Sequence, residues 1–268
     1  MEALIPRIGN EGWQFPQNWN TSRQIAPRAG IRYPPAMSTN PSVTAPSRLA
    51  FFSLFRQRLC WIPTWRGWLA LLLMCVAAAI VMVRGGYDFL AVNDPCPGGV
   101  LVIEGWAPDY ALQETMLEFR RHPYAKLYVT GGPIEKGAPL CEYKTTAEFT
   151  VATLLRMGMT SNTVQAVPMP ETRQDRTYTS ALILKHWLRT QGGVPGQINL
   201  MTGGAHARRS RLMYEMAFGP EVQIGIVAIP NREFDPQRWW TSSAGVRTVL
   251  SELIAYGYAR FVFHPPRE

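Results

Sequence analysis

Residues 202–211 read TGGAHARRSR and gather His206, Arg208, Arg209 and Arg211 at an apparent helix start. An imidazole exchanges a proton near neutral pH, and a guanidinium is a permanent cation with a planar fork of donors. Cations in a first turn oppose the helix macrodipole, where Asp or Glu would stabilise it. The pile-up therefore points to an anionic group that completes it. His206 and Arg209 share one helix face, and Arg208 and Arg211 the neighbouring one. A solvated basic face with a histidine packed near a sheet explains the same residues, and the residues alone leave both readings open. A second polar run, RQDRTYTS at 173–180, precedes another apparent helix. Asp175 or Thr177 fits its N-cap, but capping does not account for Arg173 and Arg176, which leaves phosphate or carboxylate contact open.

Three apolar runs end in glycine: Glu104-Gly105-Trp106, Thr130-Gly131-Gly132-Pro133, and Thr202-Gly203-Gly204-Ala205-His206. Glycine allows a tight turn and close backbone approach to a ligand, and either need explains any one of them. Glu104 and Asp109 fit a general base or an ion-pair partner for the arginines. The expected site thus has His206 as acid or base with Glu104, and ligand contacts from Gly131, Gly132, Arg176, Thr177, Thr202, Gly203 and Arg209. There is no HExxH, CxxC, GxSxG or Walker loop, and no metal is expected.

These residues must be positioned by alternating elements. Strands are expected at 100–103, 126–130, 163–167, 197–202 and 223–229, and helices at 111–121, 145–157, 178–189, 207–218 and 242–263. Strand then helix, repeated, predicts a Rossmann-like three-layer α/β/α domain with a mainly parallel sheet, over residues 97–265. Ligands gather at the carboxyl ends of such strands, where the distinctive residues fall.

Ahead of that domain, residues 67–83 run without a charge, with Trp61, Trp65 and Trp68 at their start and Arg66 and Arg84 at the edges. A single transmembrane helix is expected over 61–84. Arg48, Arg56, Arg58 and Arg66 precede it, and Asp88 and Asp94 follow, so the positive-inside bias places the N-terminus in the cytoplasm and the domain outside. A cleaved signal peptide fits poorly, because the preceding segment is long and Phe89 spoils a small-residue cleavage pattern. Residues 1–60 read as a disordered cytoplasmic leader, and Met37 is an alternative start. The net charge of +8 divides into +6 for residues 1–67, −1 for 68–96 and +3 for the remainder. The globular part is nearly balanced, so no nucleic-acid partner is expected. Cys96 and Cys141 fall in the outward domain, where a disulfide is chemically permitted. Trp239 and Trp240 suit the site's rim, packing of the last helix, or contact with the membrane surface.

From about residue 97 to 265 the chain resembles the SanA/ElyC/YdcF family, built on the domain of unknown function numbered 218. VLVIEGW, YVTGG, LLRMGM, RTYTSA and MTGGAHARRSRL, in that order, carry the resemblance. His206 and Arg209 fall on the family's His-x-x-Arg motif, Thr177 on its Thr-x-Glu-Asn segment, and Gly131 and Gly132 on its second-strand glycines. Thr179 and Ser180 stand where the family usually has Glu and Asn, and Glu104-Gly105 replaces a run of glycines.

The resemblance implies a plasma (inner) membrane protein of the cell envelope, linked to peptidoglycan precursor or lipid-carrier metabolism. A soluble relative is associated with S-adenosylmethionine; no cofactor is assigned here. The expected function is binding of an anionic, phosphate-bearing metabolite or lipid-linked precursor, with hydrolysis or transfer if a reaction occurs. The alternatives are a non-enzymatic barrier factor that recognises a protein or glycan, and an intracellular nucleotide-binding enzyme of the opposite topology.

Overall fold

The computed structural model describes residues 55–56, 61–135 and 137–265; the expected leader lies almost wholly outside them. A short antiparallel pairing of residues 55–56 with 62–63 precedes the first helix. Helix α1 spans Trp65–Leu90 and opens on Thr64, whose hydroxyl accepts from the Gly67 N–H at 3.3 Å. Its apolar stretch reaches a mean hydropathy of 2.2, long and apolar enough to cross a membrane. The helix does not stop at the end of the apolar run. It continues for two turns in which Gly86, Tyr87 and Leu90 are buried.

The rest is an α/β domain. Strands β1 (Val100–Glu104), β2 (Leu127–Gly131), β3 (Val164–Pro168), β4 (Gln197–Gly203) and β5 (Gln223–Ile229) form one sheet in the order β3-β2-β1-β4-β5. Every pairing in it is parallel. Helices α2 (Asp109–Arg121), α3 (Thr146–Arg156), α4 (Arg176–Thr190), α5 (Ala207–Phe218) and α6 (Ser243–Phe261) alternate with the strands as the apolar pattern predicts.

Strand alternation sorts the core. Leu101, Ile103, Leu127, Val129 and Met201 face α2 and α3. Val100, Val102, Tyr128, Ile198 and Leu200 face α4 and α5. A third apolar cluster joins Tyr87 and Leu90 of α1 to Ala205, Phe234, Trp239 and Val249. Trp239 is therefore core, whereas Trp240 is 38% exposed.

Cys96 and Cys141 are both free, so the permitted disulfide is not formed. Cys96 is occupied otherwise: its N–H donates to Asn199 Oδ1 at 2.7 Å, and Asn199 Nδ2 donates to the Cys96 and Gly98 carbonyls. A fully buried amide thus ties the link after α1 to β4 with its hydrogen bonds met.

Candidate functional site

Alternation also places Thr130, Glu104 and Thr202 on the α4/α5 face, each near the carboxyl end of its strand, with β1 between β2 and β4. All three are buried, and Thr202 Oγ1 donates to Glu104 Oε2 at 2.6 Å. The chain then turns through Gly203–His206 into α5. That turn brings His206 Nε2 to 3.4 Å from Glu104 Oε1 and Nδ1 to 3.0 Å from Glu252 Oε1. Arg209, one turn along α5, grips Glu252 with two donors, Nε to Oε2 at 2.8 Å and Nη2 to Oε1 at 3.1 Å. Expected partners His206, Arg209, Glu104 and Thr202 are therefore in one cluster, completed by a carboxylate from α6.

Burial alone would lower the His206 pKa, but the Glu104 carboxylate and the hydrogen bonds with Glu104 and Glu252 outweigh it and push it up to about 9. Burial would raise Glu252, yet its bonds from His206 and Arg209 hold it down at about 2. Nδ1 lies 3.0 Å from Glu252 Oε1 and 2.9 Å from Arg209 Nη2: the charged imidazole donates from Nδ1 to the carboxylate, and the neutral one with a bare Nδ1 accepts from the guanidinium. Nε2 keeps the looser contact, long for a charge-assisted bond. Trp106, 57% exposed, meets the imidazole edge-on with ring centroids 5.5 Å apart.

Each arginine at the start of α5 has a partner within the protein, so neither of the two readings left open by the sequence is decided by the charges alone. Glu252 neutralises Arg209. Arg211 pairs with Asp94 at 2.8 Å and Glu215 at 2.9 Å. Arg208 donates to the Phe89 carbonyl and lies over the Phe89 ring, 4.1 Å from its centroid. The unfavourable dipole is tolerated because each cation has a partner supplied by a distant part of the chain.

Other expected ligand contacts divide. Gly131 is required by packing: a Cβ there would meet Thr146 Oγ1 and approach the Ala147 nitrogen to 2.6 Å, so α3 starts directly over it. Gly105 is held by the same turn of α3, with a Cβ 2.8 Å from the Thr146 carbonyl. Helix packing at Gly131 is a need that the sequence reading did not weigh. Gly132 is half-buried beside Met169, and Gly203 faces open space. Arg176 is 66% exposed and pairs with Glu135 at 2.9 Å, so it has a surface partner. Thr177 is half-buried at the start of α4. Asp175 holds the N-cap position in a left-handed conformation, φ 47°, without a side-chain capping bond; neither expected capping bond forms there.

The sequence reading missed Glu252 as a partner, and also Tyr214. The Tyr214 hydroxyl is fully buried on α5 near Thr130 and Ser180 and feels the Glu104 charge; burial raises its pKa. Neither it nor Thr130 Oγ1 has a protein hydrogen bond of good geometry. No local spacing pointed to either residue. On the other side of Trp106 lies a cleft of about 350 Å³ lined by Leu112, Ile134, Cys141, Thr146 and Phe149. Asp109 also lines it, and among the described residues no cation does, so it suits an uncharged, apolar part of a guest. Among the described residues no three His, Cys, Asp or Glu side chains converge as a metal-binding set.

What this arrangement can do is hold one proton on His206 between two carboxylates at the carboxyl ends of β1 and β4. Compared with protein-family models, with curated proteins and with solved structures, the chain finds no match in any of the three.

Proposed function

We propose that this chain is a single-pass protein of the plasma (inner) membrane, of SanA/ElyC/YdcF type, with its N-terminus in the cytoplasm and a Rossmann-like domain outside. The domain binds an anionic, phosphate-bearing envelope metabolite or lipid-linked precursor beside Gly203 and His206. The strand order, which reverses direction between β1 and β4, supports the Rossmann-like reading, because ligands of such sheets sit at that reversal.

The observation that carries the functional reading is the position of His206 between two carboxylates, Nε2 3.4 Å from Glu104 and Nδ1 3.0 Å from Glu252. A guest anion that displaces Glu104 from the 3.4 Å contact gains the imidazolium Nε2–H as a donor while Glu252 keeps Nδ1. In a hydrolysis or transfer reaction the oxygen of a water or acceptor hydroxyl would bond to phosphorus as the bond to the leaving oxygen breaks, Glu104 taking the attacking group's proton and His206 Nε2 giving its own to the leaving oxygen. Arg209 acts here as a positioning residue: it fixes Glu252, which fixes the imidazole.

The test is thermal denaturation of the full chain in detergent with sugar phosphates, polyprenyl phosphates or S-adenosylmethionine. A phosphate-bearing ligand raises Tm in the native chain and not in His206→Gln. No shift with any phosphate ligand removes the reading. A reporter fused after Glu268 tests the topology.

One observation favours the non-enzymatic barrier factor instead. Two cations and two carboxylates neutralise one another at His206, Arg209, Glu104 and Glu252, a set that needs no guest to be stable. On that reading His206→Gln leaves envelope integrity intact.

A further inference from the structure

We propose that the turn Pro236–Thr241 and the first turns of α6 form a binding surface for anionic phospholipid headgroups, gripping the bilayer around the point where α1 leaves it. This rests on α1 spanning a membrane and is independent of what binds at His206.

Contacts between α1 and the last third of the chain fix the level of that surface. Trp239 Nε1 donates to the Val83 carbonyl at 2.9 Å. Gly86 faces Val249, Leu253 and Trp239, each within 3.8 Å of where its Cβ would stand. Phe89 meets Tyr256, ring centroids 5.5 Å apart. Partners advance along α6 as they advance along α1, so the two helices leave the membrane together. The start of α6 and the turn before it therefore lie at the level of residues 83–86.

That level is also where the hydrocarbon must end. Residues 65–82 rise about 27 Å at about 1.5 Å per residue, close to the hydrocarbon thickness of about 30 Å. Their side chains are mostly exposed, and burial sets in from Val83 onward. At this boundary Arg84, Arg238 and Arg247 are the exposed cations, with Trp240 beside them. Asp88, Glu233 and Asp235 are exposed nearby, on the next turn of α1 and just before the 236–241 turn, and Asp235 accepts from the Gln237 N–H at 2.9 Å. Three arginines with an indole are what headgroup phosphates attract: the guanidinium fork matches the phosphate, and the amphipathic ring settles at the interface. Trp239 bolts the turn to α1, so these groups are presented rigidly rather than on a loose loop. Trp240 reaches outward while its neighbour is 3% exposed.

The test uses the full chain in nanodiscs of phosphatidylcholine alone or mixed with phosphatidylglycerol, followed by amide hydrogen exchange over residues 236–247. Exchange is expected to slow at least about fivefold in the anionic discs, the factor that one arginine–headgroup contact supplies. Arg238→Gln with Arg247→Gln should abolish the difference and leave exchange in the His206 turn unchanged. Equal exchange in both discs by an inserted chain overturns the proposal alone. Slowing reproduced in the neutral discs by inorganic phosphate overturns the lipid as its source. A chain that alkaline carbonate strips from membranes overturns the spanning reading and the proposal with it.

Discussion

The starts of α4 and α5 carry the same residue types, and each places an arginine opposite a glutamate at nearly the same distance. Arg209 and Glu252 meet at 2.8 Å with side chains 21% and 16% exposed, and share Glu252 with a buried imidazole. Arg176 and Glu135 meet at 2.9 Å but are 66% and 77% exposed. Water screens the second pair and hardly reaches the first, so similar geometry has different worth. An arginine cluster in a sequence therefore says little until its partners and their burial are known.

The largest test of that contrast is removal of each carboxylate. Glu252→Ala leaves Arg209 a partly buried cation without a counter-charge and His206 with Glu104 alone, an expected loss of about 3–5 kcal/mol. Glu135→Ala should cost less than about 0.5 kcal/mol. Thermal and denaturant melts of the full chain in detergent measure both, and similar losses would erase the distinction. The glycines make a second contrast. Gly131→Ala drives a methyl into the start of α3 and should cost about 1–3 kcal/mol. Gly203→Ala meets open space and should leave Tm unchanged while weakening any ligand held beside His206.

The pH dependence sharpens the α5 side. His206 is raised from 6.5 to about 9, so its stabilising contribution is complete below 6.5 and is lost as pH climbs through 9. Glu252 is lowered from 4.5 to about 2, so its contribution is complete above 4.5 and is lost as pH falls toward 2. Stability should be flat between about 4.5 and 6.5 and decline on both sides. His206→Gln should remove the alkaline decline; if that decline persists, another group causes it. The smallest effect is expected at Tyr214→Phe. Deleting a buried hydroxyl without a bonded partner should leave stability unchanged or raise it by up to about 1 kcal/mol. A lower Tm would mean that the hydroxyl is bonded after all.

Strand and helix positions were legible because period two and period 3.6 are local properties, and the elements agree with those patterns to within a few residues. So was the cluster's centre, since Glu104, Thr202 and His206 all sit where strands end. The partners were not. Glu252 lies 46 residues from His206 and Asp94 lies 117 from Arg211, and no spacing rule reaches across a helix face that far away. Gly131 was ambiguous for a related reason. Whether a glycine serves a ligand or a neighbouring helix depends on what stands over it, and α3 is brought there by the whole sheet. The end of α1 was hidden because Gly86, Tyr87 and Leu90 lie beyond the apolar run, and only the third apolar cluster encloses them.

That enclosure governs how the α/β domain can be handled. Tyr87 stands against Gly204, two residues before His206, and Leu90 has no exposed surface. A cut between the apolar stretch of α1 and residue 97 would not free an intact α/β domain; it would pull a plug from its interior. Fragments of the domain must retain the final turns of α1, and a protease acting on that link would unfold the domain rather than release it.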